Sequence, residues 1–192
     1  MNIYEAILKR RTIRKFKQEE IPLEVLKKLT NAARIAPSAS NMQPLKYIIV
    51  NDKDKVKEIF KYVSWAGAIR PEGNPKAGEE PTAYILMLCD KEIRKDGFDT
   101  DAGAAMENII LAGVEEGIGS CWMGAIDRGN ITKLLAIPER FTIHTLVSLG
   151  YNGEDPVMED EEGSLKYYKD ETGRLHVPKR KFEDVVFINK ID

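Results

Sequence analysis

The amino-acid sequence predicts a single layered domain of the α+β or α/β class. Four apolar runs of strand length are separated by segments with helical apolar spacing. These runs lie at residues 47–50, 84–88, 121–123 and 141–149. The first three runs are continuously apolar, whereas the fourth alternates around His144. Continuous apolar strands predict a sheet that helices cover on both faces. No repeat, low-complexity tract or linker divides residues 1–192, and this length suits one domain.

The longest helical pattern follows the second run and begins near Asp101. Its apolar positions form two stripes, which are Ala104, Ala105, Asn108, Ile109, Ala112 and Gly113, and Met106, Ile110 and Val114. A helix that is apolar on most sides is usually buried or held between subunits. We expect Asp101 to cap its first amides, and Gly117 and Gly119 to end it in conformations that are costly for other residues.

The remaining helices are shorter and are marked by apolar residues three and four positions apart. They are centred on residues 3–7, on a stretch from Pro22 until Pro37, on residues 56–63 and on residues 131–135. Residues 64–81 are rich in Gly and Pro and predict an irregular excursion, which is often functional when it is this long. The acidic residues from 154 to about 173 predict an exposed segment, and residues 185–188 predict an edge strand or tail.

Composition excludes several classes of function. The chain has 29 basic and 31 acidic residues and a net charge of -2, so no global field attracts nucleic acid or an anionic membrane. No apolar run approaches the ~20 residues that span a bilayer, and the start lacks the apolar core of a signal peptide. Cys89 and Cys121 both lie in apolar runs, which predicts core thiols rather than a disulfide or a metal pair. We therefore expect a cytoplasmic protein.

A basic stretch near the start is the first candidate site. Arg10 and Arg14 are four residues apart, so in a helical turn they would face one way and could hold one anion together. Thr12 adds a hydroxyl group between them. Guanidinium groups match the geometry of phosphate. The alternative is a solvated basic helix end, where cations suit the helix dipole.

The loop at residues 37–44 has amide side chains that could read the edge of a heterocycle, although the same residues are ordinary in turns. Other chemistries have little support. Gly117-x-Gly119 fails as a dinucleotide motif because the third glycine position is Trp122 and the motif follows a helix. The two histidines are isolated, and the loop serines have no evident base.

Taken together, these pieces resemble the FMN-dependent nitroreductase family nearly from end to end. The matching stretches are residues 10–16, 36–44, 101–103 with 119–124, Gly150-Tyr151 and the basic residues 179–181. The resemblance implies an α+β fold with three layers, in which helices flank a central mixed sheet. It also implies a homodimer that pairs through the long central helix, with FMN at each end of the interface.

The resemblance also assigns cofactor contacts at the two ends of FMN. Arg10 would meet the phosphate, and Lys179 or Arg180 would complete that cradle. Thr12 would hold the ribityl or phosphate end, and Arg11 is a further contact without a fixed role.

Around the flavin ring, Arg14 would lie by the N1/O2 edge and tune the flavin. Met123 and Gly124 would bring backbone amides near N5. The second subunit would contribute a loop that packs on the ring, with Asn41 near the pyrimidine edge; its predicted cofactor contacts are Pro37, Ser38, Ala39, Ser40, Asn41 and Gln43.

The implied chemistry is a ping-pong oxidoreduction. NADH or NADPH would give a hydride to the flavin, and a small acceptor such as a nitroaromatic or quinone would then take the electrons. No protein nucleophile, acid or metal is required, which agrees with the absence of such motifs. The alternatives are a specialised relative, which would fragment flavin, oxidise azolines or remove halogen reductively, and a cofactor-free protein that binds through its basic patch.

Overall fold

The computed structural model describes residues 1–65 and 67–191. Within these residues the chain forms five helices and seven strands. In chain order they are α1 (Ile3–Lys9), α2 (Leu23–Arg34), β1 (Leu45–Val50), α3 (Lys53–Phe60), β2 (Ala83–Asp90), α4 (Asp99–Glu115), β3 (Ile118–Met123), α5 (Arg128–Leu134), β4 (Phe141–Tyr151), β5 (Val157–Asp160), β6 (Tyr168–Lys169) and β7 (Leu175–Lys179). Short 3₁₀ turns occupy Ala39–Asn41, Gly67–Ile69 and Phe182–Asp184.

A four-stranded sheet in the order β1-β2-β4-β3 forms the centre of the molecule. Every residue of β2 is buried, because apolar clusters pack on both faces of the sheet. Helices α2 and α4 cover one face, and α3, α5 and the segment around Ile13 and Phe16 cover the other. The predicted α+β class and the three layers are confirmed. The strands of this sheet pair antiparallel, so the expected mixed pairing is reduced to one isolated parallel bridge between Thr12 and Ser120.

Helix α4 is the predicted long helix, but its ends differ from the expectation. It begins two residues before Asp101, and Asp101 does not cap it, since its carboxylate accepts hydrogen bonds from Ser38 and Ala39 instead. Gly117 follows the helix with a φ of 72°, as predicted. Gly119 has another role, because it lies within β3 where a Cβ would come 2.9 Å from the Cβ of Ile13.

The acidic segment after β4 is more ordered than predicted. Strands β5, β7 and β6 form a second sheet, in which β5 and β7 pair parallel and β6 and β7 pair antiparallel. His176 on β7 links the three strands. Its ring nitrogens contact Glu159 of β5 (2.7 Å) and Asp170, which follows β6 (3.1 Å), and Tyr168 of β6 stacks on its ring. We call strands β5 to β7 the accessory sheet. The segment is largely exposed, as predicted, but it forms strands rather than a loop.

Three other expectations can be compared with the fold. Cys89 and Cys121 are buried free thiols, as predicted. Residues 185–188 form an exposed tail rather than an edge strand. Within the described ranges, no helix is both long enough and apolar enough to cross a membrane.

Candidate active site

The basic stretch is an extended segment, and the prediction that Arg10 and Arg14 share a helical turn was wrong. Helix α1 ends at Lys9, and the chain then runs beside β3. Thr12 forms a parallel bridge with Ser120, and the N–H of Ile13 donates to the carbonyl of Ser120 (2.8 Å). We call residues 10–16 the arginine segment. In an extended chain alternate residues point to the same side. Arg10 and Arg14 are four residues apart, so the extended segment also directs them to one side.

Two glycines allow the arginine segment to lie this close to the sheet. A Cβ on Gly119 would come 2.9 Å from the Cβ of Ile13, and one on Gly150 would come 2.8 Å from the Cβ of Phe16. Ile13 and Phe16 are 3% and 2% exposed, so burial of these two side chains fixes the segment on the sheet.

One end of the arginine segment is a cationic hollow of about 80 Å³, which Arg10, Arg11, Gly119 and Asn152 help to line. Arg10 has a distant acidic partner, because its Nε lies 4.0 Å from Glu107. Arg11 donates to the carbonyl of Arg10, and burial together with the neighbouring Arg10 charge lowers its pKa. An anion placed here would relieve the repulsion between the two guanidinium groups, so the donor set fits a phosphate.

The other end of the arginine segment lies beneath residues that follow β4. The N–H of Arg14 donates to Glu154 (2.6 Å), and its guanidinium lies 5.5 Å from the centre of the Tyr167 ring. Burial raises the pKa of Cys121 to about 11, while the charge of Arg14 lowers it. Arg14 thus lies against the segment that follows β4.

Hydrogen bonds of Thr145 hold the end of strand β3, at Trp122 and Met123. Thr145 accepts a hydrogen bond from the indole of Trp122 (2.8 Å) and donates to the carbonyl of Met123 (2.6 Å). Met123 is buried, and Gly124 is exposed immediately after it. The arginine segment contacts β3 at Ser120, and the Met123-Gly124 corner follows the end of the same strand. That both belong to one site stays a prediction.

The loop at residues 37–43 lies elsewhere in the chain. Ser38 bonds to Asp101 and is half-buried, while the other predicted contacts are exposed, namely Pro37, Ala39, Ser40, Asn41 and Gln43. The loop borders a cavity of about 510 Å³ against α2 and β1, and no residue of the arginine segment lines it. Within one chain, the loop and the arginine segment contact α4 at different positions, Asp101 and Glu107.

Lys179 and Arg180 lie at the end of the accessory sheet. Lys179 ends β7, Arg180 follows it, and both side chains are exposed. In residues 1–65 and 67–191, no hydrogen bond or ion pair of either side chain ties it to the arginine segment. Their contact with a phosphate stays a prediction.

Sequence reasoning missed two residues that shape these surfaces and assigned a third to the wrong role. Asp101 was identified, but as a helix cap. Glu154 and Tyr167 lie in a segment without a motif, and Glu154 is 140 residues from its partner Arg14 along the chain. No local signal in one sequence could have paired residues so far apart.

Comparison with known proteins identifies the family. A model of the nitroreductase family matches residues 7–151. The chain belongs to the nitroreductase family. A protein from Archaeoglobus fulgidus, provisionally named an NADH dehydrogenase/NAD(P)H nitroreductase, is 35% identical over 154 residues, which are 77% of this chain and 83% of that protein.

One further relative by sequence and one solved structure are also similar to this chain. An iodotyrosine deiodinase from Thermotoga neapolitana is 27% identical over 168 residues, which are 80% of this chain and 90% of that protein. A crystal structure of a protein from Parabacteroides distasonis, with the same provisional name as the Archaeoglobus protein, covers 100% of both chains with a TM-score of 0.73. At 22% identity, that likeness supports the fold alone.

Proposed function

We propose that the chain uses NAD(P)H to reduce nitroaromatic, quinone or similar acceptors in two-electron steps, by a ping-pong mechanism. As a nitroreductase-family protein it is an NAD(P)H-dependent flavin oxidoreductase with FMN as cofactor. The observation that carries the proposal is the arginine segment, which begins at a cationic hollow, bridges β3 at Ser120 and places Arg14 against the residues that follow β4. Four residues of extended chain span roughly 13 Å, which separates a phosphate end from a ring end.

Bound FMN supplies the hydride chemistry, and the protein supplies binding and electrostatics. Arg10 and Arg11 would bind the phosphate in the hollow that they line, and Thr12 would hold the middle of the cofactor. Arg14 would stabilise negative charge on the ring. The backbone at Met123 and Gly124 would border the reactive edge of the ring, where the acceptor binds.

The complete site requires a homodimer in this proposal, since within one chain the loop at residues 37–43 and the arginine segment contact α4 at different positions. Two apolar surfaces support a dimer. Ile3, Tyr4 and Leu8 of α1 are 77%, 68% and 47% exposed, and the tail exposes Phe187 and Ile188 by 51% and 82%. Contiguous exposed apolar patches commonly mark protein interfaces. Sedimentation of the purified protein should therefore give twice the mass of one chain.

The rival reading as a nucleic-acid-binding protein has less support. Arg10, Arg11 and Arg14 are all partly buried against the sheet, so they do not form a flat basic surface. Reductive dehalogenation is the second candidate, because the iodotyrosine deiodinase of Thermotoga neapolitana is a relative. Steady NAD(P)H oxidation with menadione or nitrofurazone, without iodide release from iodotyrosine, would favour the first candidate.

Two arginine variants test whether Arg10 binds the phosphate of FMN and Arg14 acts on its ring. Arg10→Ala should weaken FMN binding by ~2 kcal/mol or more, or roughly thirtyfold, because it leaves a phosphate charge unpaired. Arg14→Ala should slow flavin reduction by NAD(P)H more than it weakens FMN binding. Lys17→Ala is the control, since it removes an exposed cation just beyond the same segment. Equal FMN affinity in Arg10→Ala and wild type would refute the phosphate assignment.

A further inference from the structure

Asp101 is a buried carboxylate outside the arginine segment, and it faces the loop at residues 38–43. It is the third residue of α4 and is 4% exposed. The hydroxyl of Ser38 donates to its Oδ2 (2.6 Å), and the N–H of Ala39 donates to its Oδ1 (3.2 Å). The Ser38 hydrogen bond lowers the pKa of Asp101, and Ala39 and the charge of Arg94 act in the same direction. Asp101 therefore stays ionised near neutral pH.

Ser38 connects this carboxylate to the far end of the loop. Its Oγ, which donates to Asp101, also accepts from the N–H of Gln43 (2.9 Å). The Gln43 amide group in turn donates to Oδ1 of Asn41 (3.0 Å), which orients that side chain. One carboxylate and one hydroxyl thus close the loop and set its exposed amides.

The backbone between these anchors is strained. Ser40, Asn41 and Gln43 have φ values of 51°, 53° and 52°, in the left-handed region that residues with a Cβ avoid. Such conformations persist only where the surroundings impose them, and they cluster at functional sites. The side chains of these three residues are exposed, so the strained shape adds nothing to the core of this chain.

We propose that Asp101 is a positioning residue for the cofactor site. Through Ser38 it holds the loop at residues 38–43 in the strained shape that covers the flavin bound by the second subunit. This inference rests on the proposed function, because it requires FMN and a dimer. Asp101 itself need not touch the flavin, since it is buried behind the loop.

The first test compares FMN binding in matched variants. Asp101→Asn keeps the shape of the side chain but places an NH₂ group among donors, and Ser38→Ala removes the hydroxyl. Each should weaken FMN about tenfold or more, and each should change the visible circular dichroism of the flavin that remains bound. Ser38→Thr restores a hydroxyl and should bind FMN more tightly than Ser38→Ala. Asp99→Asn removes an exposed carboxylate from the first turn of the same helix and should have no effect.

Wild-type affinity and an unchanged flavin spectrum in both Asp101→Asn and Ser38→Ala would overturn the inference, although the proposed function would stand. A loss in Asp99→Asn equal to that in Asp101→Asn would also overturn it, because the helix charge alone would then explain the effect. A wild-type protein that binds no FMN would refute the proposed function and the inference together.

The second test uses hybrid dimers and distinguishes positioning from general destabilisation. A dimer of one Arg10→Ala chain and one Asp101→Asn chain has one site with an intact arginine segment and an intact loop, if the loop acts on the opposite subunit. That hybrid should bind FMN with wild-type affinity at one of its two sites, while both parent homodimers bind weakly. A hybrid that binds as weakly as the parents would show that Asp101 acts within its own chain, and would overturn the inference.

Discussion

Gly150 leaves no room for a side chain, and Gly150→Ala is expected to displace the arginine segment. A methyl group would lie 2.8 Å from both Cβ and Cδ1 of Phe16, whereas nonbonded carbons prefer about 3.5–4.0 Å. Phe16 is 2% exposed and its N–H donates to the carbonyl of Glu79, so it has little freedom to move. Added volume in such a site costs about 1–3 kcal/mol. In a domain of this size that lowers Tm by roughly 2–12 °C.

The assay for Gly150→Ala is thermal unfolding of the cofactor-free protein, followed by titration with FMN. Affinity for FMN should fall as well, because Arg14 is two residues from Phe16. Gly129→Ala is the control, since its added Cβ would meet only Asp127 Oδ1, at 3.6 Å. Adding Phe16→Leu should recover part of the loss. An unchanged Tm in Gly150→Ala, or a double variant whose losses simply add, would refute the packing argument.

Two other predictions concern titrating groups. The hydrogen bonds of His176 to Glu159 and Asp170 raise its pKa, so its stabilisation of the accessory sheet is full below its ordinary pKa near 6.5 and is lost as pH rises through the folded value. The pKa of Asp170 is lowered to about 2, so its stabilisation is lost only in strong acid. Urea unfolding at a series of pH values should show stability falling as pH rises above about 6.5, and His176→Gln should abolish that fall. Burial raises the pKa of both Cys89 and Cys121, so neither thiol should react with a thiol reagent at mildly alkaline pH until the protein is unfolded; rapid labelling of the native protein would contradict this.

The central layers were predictable from sequence because burial leaves a strong pattern there. Strand β2 is buried along its whole length, and its residues are apolar until Asp90. Helix α4 also leaves a clear pattern, because its buried residues recur at helical spacing. In both elements local pattern and tertiary packing agree, which is when sequence reasoning works best.

The accessory sheet and the loop were not predictable for a physical reason. Strand β6 has two residues, and β5 alternates partly buried with exposed residues in an acidic stretch, so neither leaves an apolar run. The left-handed conformations of Ser40, Asn41 and Gln43 carry no glycine signal, and the carboxylate that bonds to this loop, Asp101, is 63 residues from Ser38 along the chain. Long-range contacts of this kind are not encoded in local spacing.

The central claim is that the arginine segment binds FMN and that the bound flavin exchanges electrons with NAD(P)H. The most direct measurement is the visible absorption spectrum of the purified protein, before and after anaerobic NAD(P)H and then menadione. The account predicts a flavin spectrum that bleaches with NAD(P)H and returns with menadione, and FMN as the chromophore released on denaturation. A colourless protein that also fails to bind added FMN, or a bound flavin that NAD(P)H cannot reduce, would contradict it.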